Sequence, residues 1–200
     1  LWLSNRNAYQ HLFLYDMKSG FEKQLTHGPW VVTDFLGFSA DSKKVYFIAT
    51  KESPLERHLY EVGINDGKIV KLTPDKGYNR VMFNNKKDHF IVTGSSNEVS
   101  GFTRVIDIKG KIKNTLVAPH NVFEGMDMPK VELLSLKSKD GVDLYCRLIT
   151  PPNMEKGKKY PVMVYVYGGP HAQMVTDSWL GGSNLFFTYM ALKGYVIFTL

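Results

Sequence analysis

The 200 residues suffice for one domain or parts of two, and 44% hydrophobic with 22% charged residues is the balance of a globular chain rather than a disordered one. The net charge of +6 comes from 25 basic residues scattered in short clusters such as "NNKKD" and "KKYP", so no basic stripe or nucleic-acid module exists and no nucleic-acid partner is expected. The one cysteine, Cys146, excludes an intrachain disulfide, and no run reaches the ~18 apolar residues of a membrane-spanning helix.

The chain opens on "LWLSNRNAYQ", which has no initiator Met and no signal-peptide pattern, so the sequence reads as the middle of a longer protein. Residues 11–26, "HLFLYDMKSGFEKQLT", read as strand, Gly-containing turn, strand. Residues 57–73, "RHLYEVGINDGKIVKLT", repeat the form, and the Leu-Thr endings at Leu25-Thr26 and Leu72-Thr73 lie 47 residues apart. A third copy, 103–117, keeps strand-Gly-strand and loses that ending. "FSADSKKVYFI" (38–48) and "FNNKKDHFI" (83–91) form a second recurring element: an aromatic, a polar turn and a β-rich strand. Four strands are predicted at 31–38, 45–49, 58–62 and 68–72, and four more at 79–83, 89–93, 103–108 and 111–116, after three in 1–26. Four strands every ~45 residues is the period of a β-propeller blade, whereas a plain antiparallel sandwich has no need of the matched repeat. Two blades and a part cannot close a ring, so neighbouring blades are expected outside this segment.

Several residues in this region invite a functional reading. His27, His58, His89 and His120 lack metal-ligand spacing and read as surface or turn histidines. Glu56 and Arg57 read as a solvated loop, and Trp30 as core. No phosphate-binding glycine loop occurs.

After "GMDMPK" the pattern changes. Residues 131–152 read as a hairpin of two longer strands around Lys-Asp-Gly, with Cys146 a buried, inert thiol in an apolar alternation. "VMVYVY" (162–167) is a strand without alternation, as for one covered on both faces. "NLFFTYMALKG" (184–194) reads as a helix with Leu185, Phe186, Tyr189, Met190 and Leu192 largely on one side and Gly194 as its stop. "YVIFTL" (195–200) is a second apolar strand. Strand, loop, helix, strand is a βαβ unit and predicts a parallel sheet, with the working loops beyond the carboxyl ends of the strands. "YGGPHAQMVTDSW" is such a loop.

The stretches "HLFLYD", "QLTHGPWVVT", "ATKESPLERHLY", "KKYPVMVYVYGGPHAQ" and "LKGYVIFTL" follow one another along almost the whole chain. Together they resemble the dipeptidyl peptidase IV-type serine peptidases of the prolyl oligopeptidase superfamily. The low cysteine count and "GGPH" resemble the bacterial members. The resemblance implies four-stranded antiparallel β-propeller blades over residues 1–128. It implies the N-terminal part of an α/β-hydrolase catalytic domain over 129–200, the whole being an incomplete fragment. It implies an exopeptidase that releases N-terminal dipeptides from peptides with Pro or Ala second, without cofactor or metal, in a periplasmic or secreted parent, and it allows a homodimer. An oligopeptidase or acylaminoacyl-peptidase of the same superfamily, or a propeller module without catalysis, fits the segment as well.

From the residues alone, Tyr167 is either an aromatic cap on its strand or a group presented to the loop. The resemblance implies the second: its phenolic O–H donates to an oxyanion, in the loop where α/β-hydrolases keep such a donor. Gly168, Gly169, Pro170, His171 and Trp179 are implied as walls of the substrate cavity. No G-x-S-x-G nucleophile elbow is present. The nearest string, "GGSNL", has Leu185 in place of the last glycine and lies before a helix, so Ser183 is rejected as nucleophile. The resemblance implies that nucleophile, Asp and His follow Leu200, that the paired glutamates for the substrate amine precede Leu1, and that the segment alone is inactive.

Overall fold

Side chains alternate across an extended strand, so a strand apolar at every position must be covered on both faces. That condition organises the first of two compact units in the computed structural model, which describes residues 1–20, 22–170, 172–183 and 185–200. The first unit is Leu1–Gly94 with Gly101–Ala118; the second is Ser95–Ser100 with Pro119–Leu200.

The first unit holds three antiparallel sheets. Strands β1 (Trp2–Asn7), β2 (Tyr9–Tyr15) and β3 (Glu22–Gln24) form a three-stranded sheet in sequence order. Strands β4 (Val32–Phe38), β5 (Lys44–Ala49), β6 (His58–Gly63) and β7 (Ile69–Lys71) form the second sheet. Strands β8 (Tyr78–Phe83), β9 (His89–Ser95), β10 (Phe102–Asp107) and β11 (Ile112–Val117) form the third. These are the blades expected from the repeat.

The middle blade is buried on both sides. Val45, Phe47 and Ala49 of β5, with Tyr60 and Val62 of β6, join Leu12, Leu25, Trp30 and Val32 in one core. The intervening Tyr46, Ile48 and Leu59 turn the other way and join Phe90, Val92, Phe102 and Ile106 in a second core. Each such side chain contributes about 1.5–3 kcal/mol of apolar burial. Polar contacts reinforce the first seam: Lys23 Nζ donates to the carbonyls of Ile64 (2.6 Å) and Asn65 (2.9 Å), and Gln10 Nε2 to that of Val32 (2.8 Å).

The repeat also carries a polar lock. The Thr26 hydroxyl meets His11 Nδ1 (3.1 Å) and accepts the Leu12 N–H (3.0 Å); the Thr73 hydroxyl meets His58 Nδ1 (3.0 Å) and accepts the Leu59 N–H (3.2 Å). On the far side of each ring Nε2 faces an oxygen that only accepts: the Gly28 carbonyl for His11 (3.0 Å) and the Glu56 carboxylate for His58 (2.5 Å). Nε2 therefore carries the proton, and Nδ1 accepts the threonine O–H. The rings are linked through Trp30, Phe47 and Tyr60, with centroids 4.9, 6.3, 5.6 and 6.4 Å apart in the order His11, Trp30, Phe47, Tyr60, His58; the two histidine contacts are edge to face and the two between them are stacked.

Two expectations are corrected here. His58 is fully buried, not a surface histidine, because Thr73 and Glu56 satisfy both of its nitrogens. Glu56 and Arg57 are half-buried rather than solvated: Glu56 holds His58, and the Arg57 guanidinium lies over the Tyr78 ring at 5.4 Å. Trp30 is a core residue as expected.

In the second unit, β12 (Lys130–Lys137) and β13 (Asp143–Thr150) form the expected hairpin. β14 (Val162–Tyr165), the one-turn helix α1 (Leu180–Ser183), the helix α2 (Leu185–Leu192) and β15 (Val196–Thr199) follow. The strand order is β12-β13-β15-β14. β14 and β15 are parallel, as the βαβ pattern requires, but β15 runs antiparallel to β13, so the sheet is mixed rather than parallel. Ile149, Ala191 and Ile197 form its core, with Met163, Phe187 and Met190 against them.

Here too the packing departs from expectation. β14 is the sheet edge, and Val162 and Val164 are 60% and 63% exposed although the strand is apolar throughout. Of the expected apolar side only Met190 packs on the sheet; Leu185, Phe186, Tyr189 and Leu192 are about half exposed, and the helix docks through buried Thr188 and Ala191 with Phe187 and Met190 beside them. A helix apolar all round has no single apolar stripe to read, and its smallest side chains allow the closest approach to the sheet.

Thr73→Val keeps the shape of that side chain and removes its hydroxyl, orphaning His58 Nδ1 and the Leu59 N–H. The chain should lose about 1–3 kcal/mol in urea unfolding, Thr26→Val a like amount, and the exposed Thr115→Val less than about 0.5 kcal/mol. Losses as small as the control at both sites would show the locks to be dispensable. Burial also lowers the pKa of His11 and of His58 below the ordinary 6.5. The unfolded chain then binds more protons just below pH 6.5, so the stability from neutral rings is complete above that value and is lost as pH falls through the lower folded one. The urea midpoint should therefore drop on acidification below about pH 6.5, and His58→Gln should flatten the slope.

Candidate functional site

β14 stops at Tyr165, and the chain leaves the sheet through Val166 to Tyr167. In register, Tyr165 lies beside Thr199 of β15, and Thr199 beside Arg147 of β13. Tyr145, two residues before Arg147, is on the same face of β13. Tyr145, Tyr167, Gly168, Gly169 and Leu200 thus meet around a cleft of about 380 Å³, closed by the segment from Ala172 to Val175. The cleft opens beyond the carboxyl end of β14, the position the βαβ pattern assigns to a working loop.

Tyr167 is 53% exposed, and no hydrogen bond to its hydroxyl occurs among the described residues. Gly168 adopts the left-handed region, at φ +67°. The Tyr167 ring lies across Gly169: a Cβ built there would stand 2.8 Å from Cε1 of the ring. The missing side chain at Gly169 therefore leaves the room in which the ring lies.

The remaining expected wall residues divide. Pro170 is exposed and lies outside the cleft lining. His171 lies outside the described residues. Trp179 lines a separate cavity of about 150 Å³ with Asn97, Phe123, Val131 and Thr188, because its backbone N–H is tied to Ser95 Oγ at 3.2 Å. Ser183 ends α1 and does not follow a strand, so no nucleophile elbow is formed there. Cys146 is buried as expected, and burial pushes its thiol pKa up, which keeps it unreactive.

Sequence reasoning missed the residues that hold the loop. Arg147 is 4% exposed; its Nη2 donates to the Thr176 carbonyl at 2.5 Å and its Nη1 reaches the Met174 carbonyl at 3.5 Å. Burial lowers its pKa, and the charge of Asp177 acts in the opposite sense. The Asn97 N–H donates to Asp177 Oδ1 at 2.6 Å, and Asn97 Nδ2 to the Val131 carbonyl at 3.1 Å. The available signal was Arg147 itself, the one charge within "LYCRLIT".

Among the described residues the cleft is lined by no Ser, Cys, His, Asp or Glu, and no group of three or more metal-ligating side chains is placed to hold a metal. Within that set the cleft offers hydrogen-bond donors, the phenols of Tyr145 and Tyr167 and the Gln173 amide, without a Ser or Cys nucleophile or a His or carboxylate base. No helix among the described residues is long and apolar enough to cross a membrane.

Residues 1–100 match the family model described as the dipeptidyl peptidase IV (DPP IV) N-terminal region. Dipeptidyl peptidase 4 of Arthroderma otae is 31% identical over 184 residues, 88% of this chain, and that of Trichophyton equinum is 30% identical over the same length. The chain spans about a quarter (24%) of the length of these curated relatives. Two bacterial structures superpose on it. A Bacteroides ovatus protein assigned as a dipeptidyl aminopeptidase IV has a TM-score of 0.89 at 33% identity, over 99% of this chain and 31% of its own. Porphyromonas gingivalis dipeptidyl peptidase 4 has a TM-score of 0.88 at 28% identity, over 98% of this chain and 28% of its own. The antiparallel four-stranded sheets are β-propeller blades. With the match to the family model over half of its length, the chain belongs to the dipeptidyl peptidase IV family, in its bacterial-like form.

Proposed function

We propose that this chain is a segment of a serine-type exopeptidase that releases N-terminal dipeptides from peptides with Pro or Ala in the second position, and that Tyr167 donates to the oxyanion of that reaction. Residues 1–128 are its blades and 129–200 the start of its catalytic domain. The observation that carries the reading is the position of Tyr167: an exposed phenol with no hydrogen-bond partner among the described residues, at the rim of a cleft beyond a parallel strand. Amide hydrolysis passes through a tetrahedral intermediate whose oxygen gains negative charge, and a preorganised O–H stabilises that charge more than it stabilises the bound substrate. Gly169 supports the reading, because the absence of a Cβ there lets the ring lie where it does. A serine nucleophile, its His base and an orienting Asp belong to other parts of the enzyme in this reading, and the segment by itself turns over no substrate.

In the full-length peptidase carrying this segment, Tyr167→Phe should lower kcat about 10²- to 10³-fold with KM little changed, measured on a Gly-Pro chromogenic amide. Equal losses in kcat and affinity, or none, would remove Tyr167 from the oxyanion. Gly169→Ala should reproduce much of that loss by pushing the ring aside, and a variant with unchanged kcat would refute the part given to Gly169. The isolated 200-residue chain should show no turnover above background on the same substrate; measurable hydrolysis by the pure segment would mean that a nucleophile has been overlooked.

A further inference from the structure

We propose that Arg147 is the positioning residue of the Tyr167 loop, holding the segment opposite the phenol so that the cleft keeps one width. The loop leaves the sheet at Tyr167, returns along the cleft from Ala172 to Val175 and continues to Trp179. Its return limb is not a strand or a helix, so its shape depends on side chains. Gln173 Nε2 donates to the Val175 carbonyl at 3.0 Å, which closes the limb on itself, while Arg147 ties it to the sheet through the carbonyls of Met174 and Thr176.

The chemistry of the guanidinium suits this task. Its planar fork carries several N–H donors in fixed directions, so two carbonyls two residues apart are held at once; an ammonium is a point donor and holds one well. The setting is built around the fork. Arg147 sits in the cross-strand row Arg147, Thr199, Tyr165, one row short of Tyr145 and Tyr167. Gly181, at φ +63°, leaves space for Nη1: a Cβ there would lie 2.5 Å from it. Nε is buried without a partner among the described residues, so the hydrogen bonds of the side chain go to the loop through its Nη atoms. Burying a guanidinium is costly, and a well-packed apolar residue would be the ordinary occupant of this strand position. What the arginine supplies in return is the restraint on 174–176.

The catalytic consequence rests on the reading of Tyr167 as an oxyanion donor; the restraint itself stands on the geometry of Arg147. Both are tested in the full-length peptidase with Arg147→Met, Arg147→Lys, Tyr167→Phe and the double variants. Hydrogen–deuterium exchange of residues 172–179 should rise about tenfold or more in Arg147→Met and less in Arg147→Lys, with propeller peptides unchanged. The kcat of Arg147→Met should fall about tenfold or more with KM within about threefold, and the fall should shrink below about twofold in the Tyr167→Phe background. Unchanged exchange in both Arg147 variants overturns the restraint. Equal kcat losses in both backgrounds overturn the link to Tyr167. Raised exchange together with full turnover of Tyr167→Phe upholds the restraint and overturns the donor reading instead. Should Arg147→Met fail to fold, Arg147→Lys keeps the charge and the stem, and the same exchange and coupling measurements on it decide the matter.

Discussion

A sheet that is apolar on both faces must have something against each, and in this chain that constraint is met by the split of β5 and β6 between two cores. Val45, Phe47 and Ala49 face one neighbour and Tyr46 and Ile48 the other, so a shift of pairing by one residue would exchange the two sets wholesale. Register is thereby fixed in the middle blade, and the outer blades inherit it through the surfaces they share with it. The His–Thr locks act within single blades, one in each of the first two. Each buries a hydroxyl and an imidazole where the last strand of the blade ends, and each satisfies a backbone N–H next to the histidine. The aromatic series from His11 through Trp30, Phe47 and Tyr60 to His58 joins the two locks across the core.

The second unit meets a different constraint. A phenol that donates to a developing charge must be held by rigid groups, yet Tyr167 lies two residues past the end of β14, in a loop. Rigidity comes from below and from across. Gly169 gives the ring a flat seat, and Arg147 holds the opposite limb through carbonyls rather than through a carboxylate. The choice matters electrostatically. The guanidinium donates to neutral carbonyls while the nearby Asp177 charge favours its charged form against the cost of burial.

Legibility in the sequence followed the physics of each element. Blades were readable because their turns use Gly with polar neighbours, their strands are β-branched and aromatic, and the Leu-Thr ending recurs. The βαβ unit was readable for the same reasons. Burial was not. β5, "KVYFIA", and β14, "VMVY", are both dominated by apolar residues, yet the first is almost wholly buried and the second is a sheet edge with exposed valines. The docking face of α2 was missed because apolar residues surround it, and the small Thr188 and Ala191 carry no hydrophobic signal. At the site, the Tyr167 and glycine positions came from a motif, while Trp179 fell into a separate cavity because its N–H is bound to Ser95, more than eighty positions earlier in the chain. Contacts at that separation leave no local trace.

His58 and Arg147 belong to one class of residue that periodic patterns misread. Each is a polar or charged side chain that sequence reasoning treats as a surface position or passes over. Arg147 completes the hydrogen bonding of backbone that no strand or helix completes, the Met174 and Thr176 carbonyls, and His58 meets the Thr73 hydroxyl that accepts the Leu59 N–H. The rule that buried polar groups are satisfied then works in reverse. A polar residue isolated in an apolar strand marks a nearby stretch of irregular backbone that needs it, and in an α/β fold the irregular stretches beyond strand ends are the ones that shape the site. By that reasoning the arginine in "LYCRLIT" is as informative about the cleft as the tyrosine in "VYGGP", although it touches the loop from within the sheet and never reaches solvent.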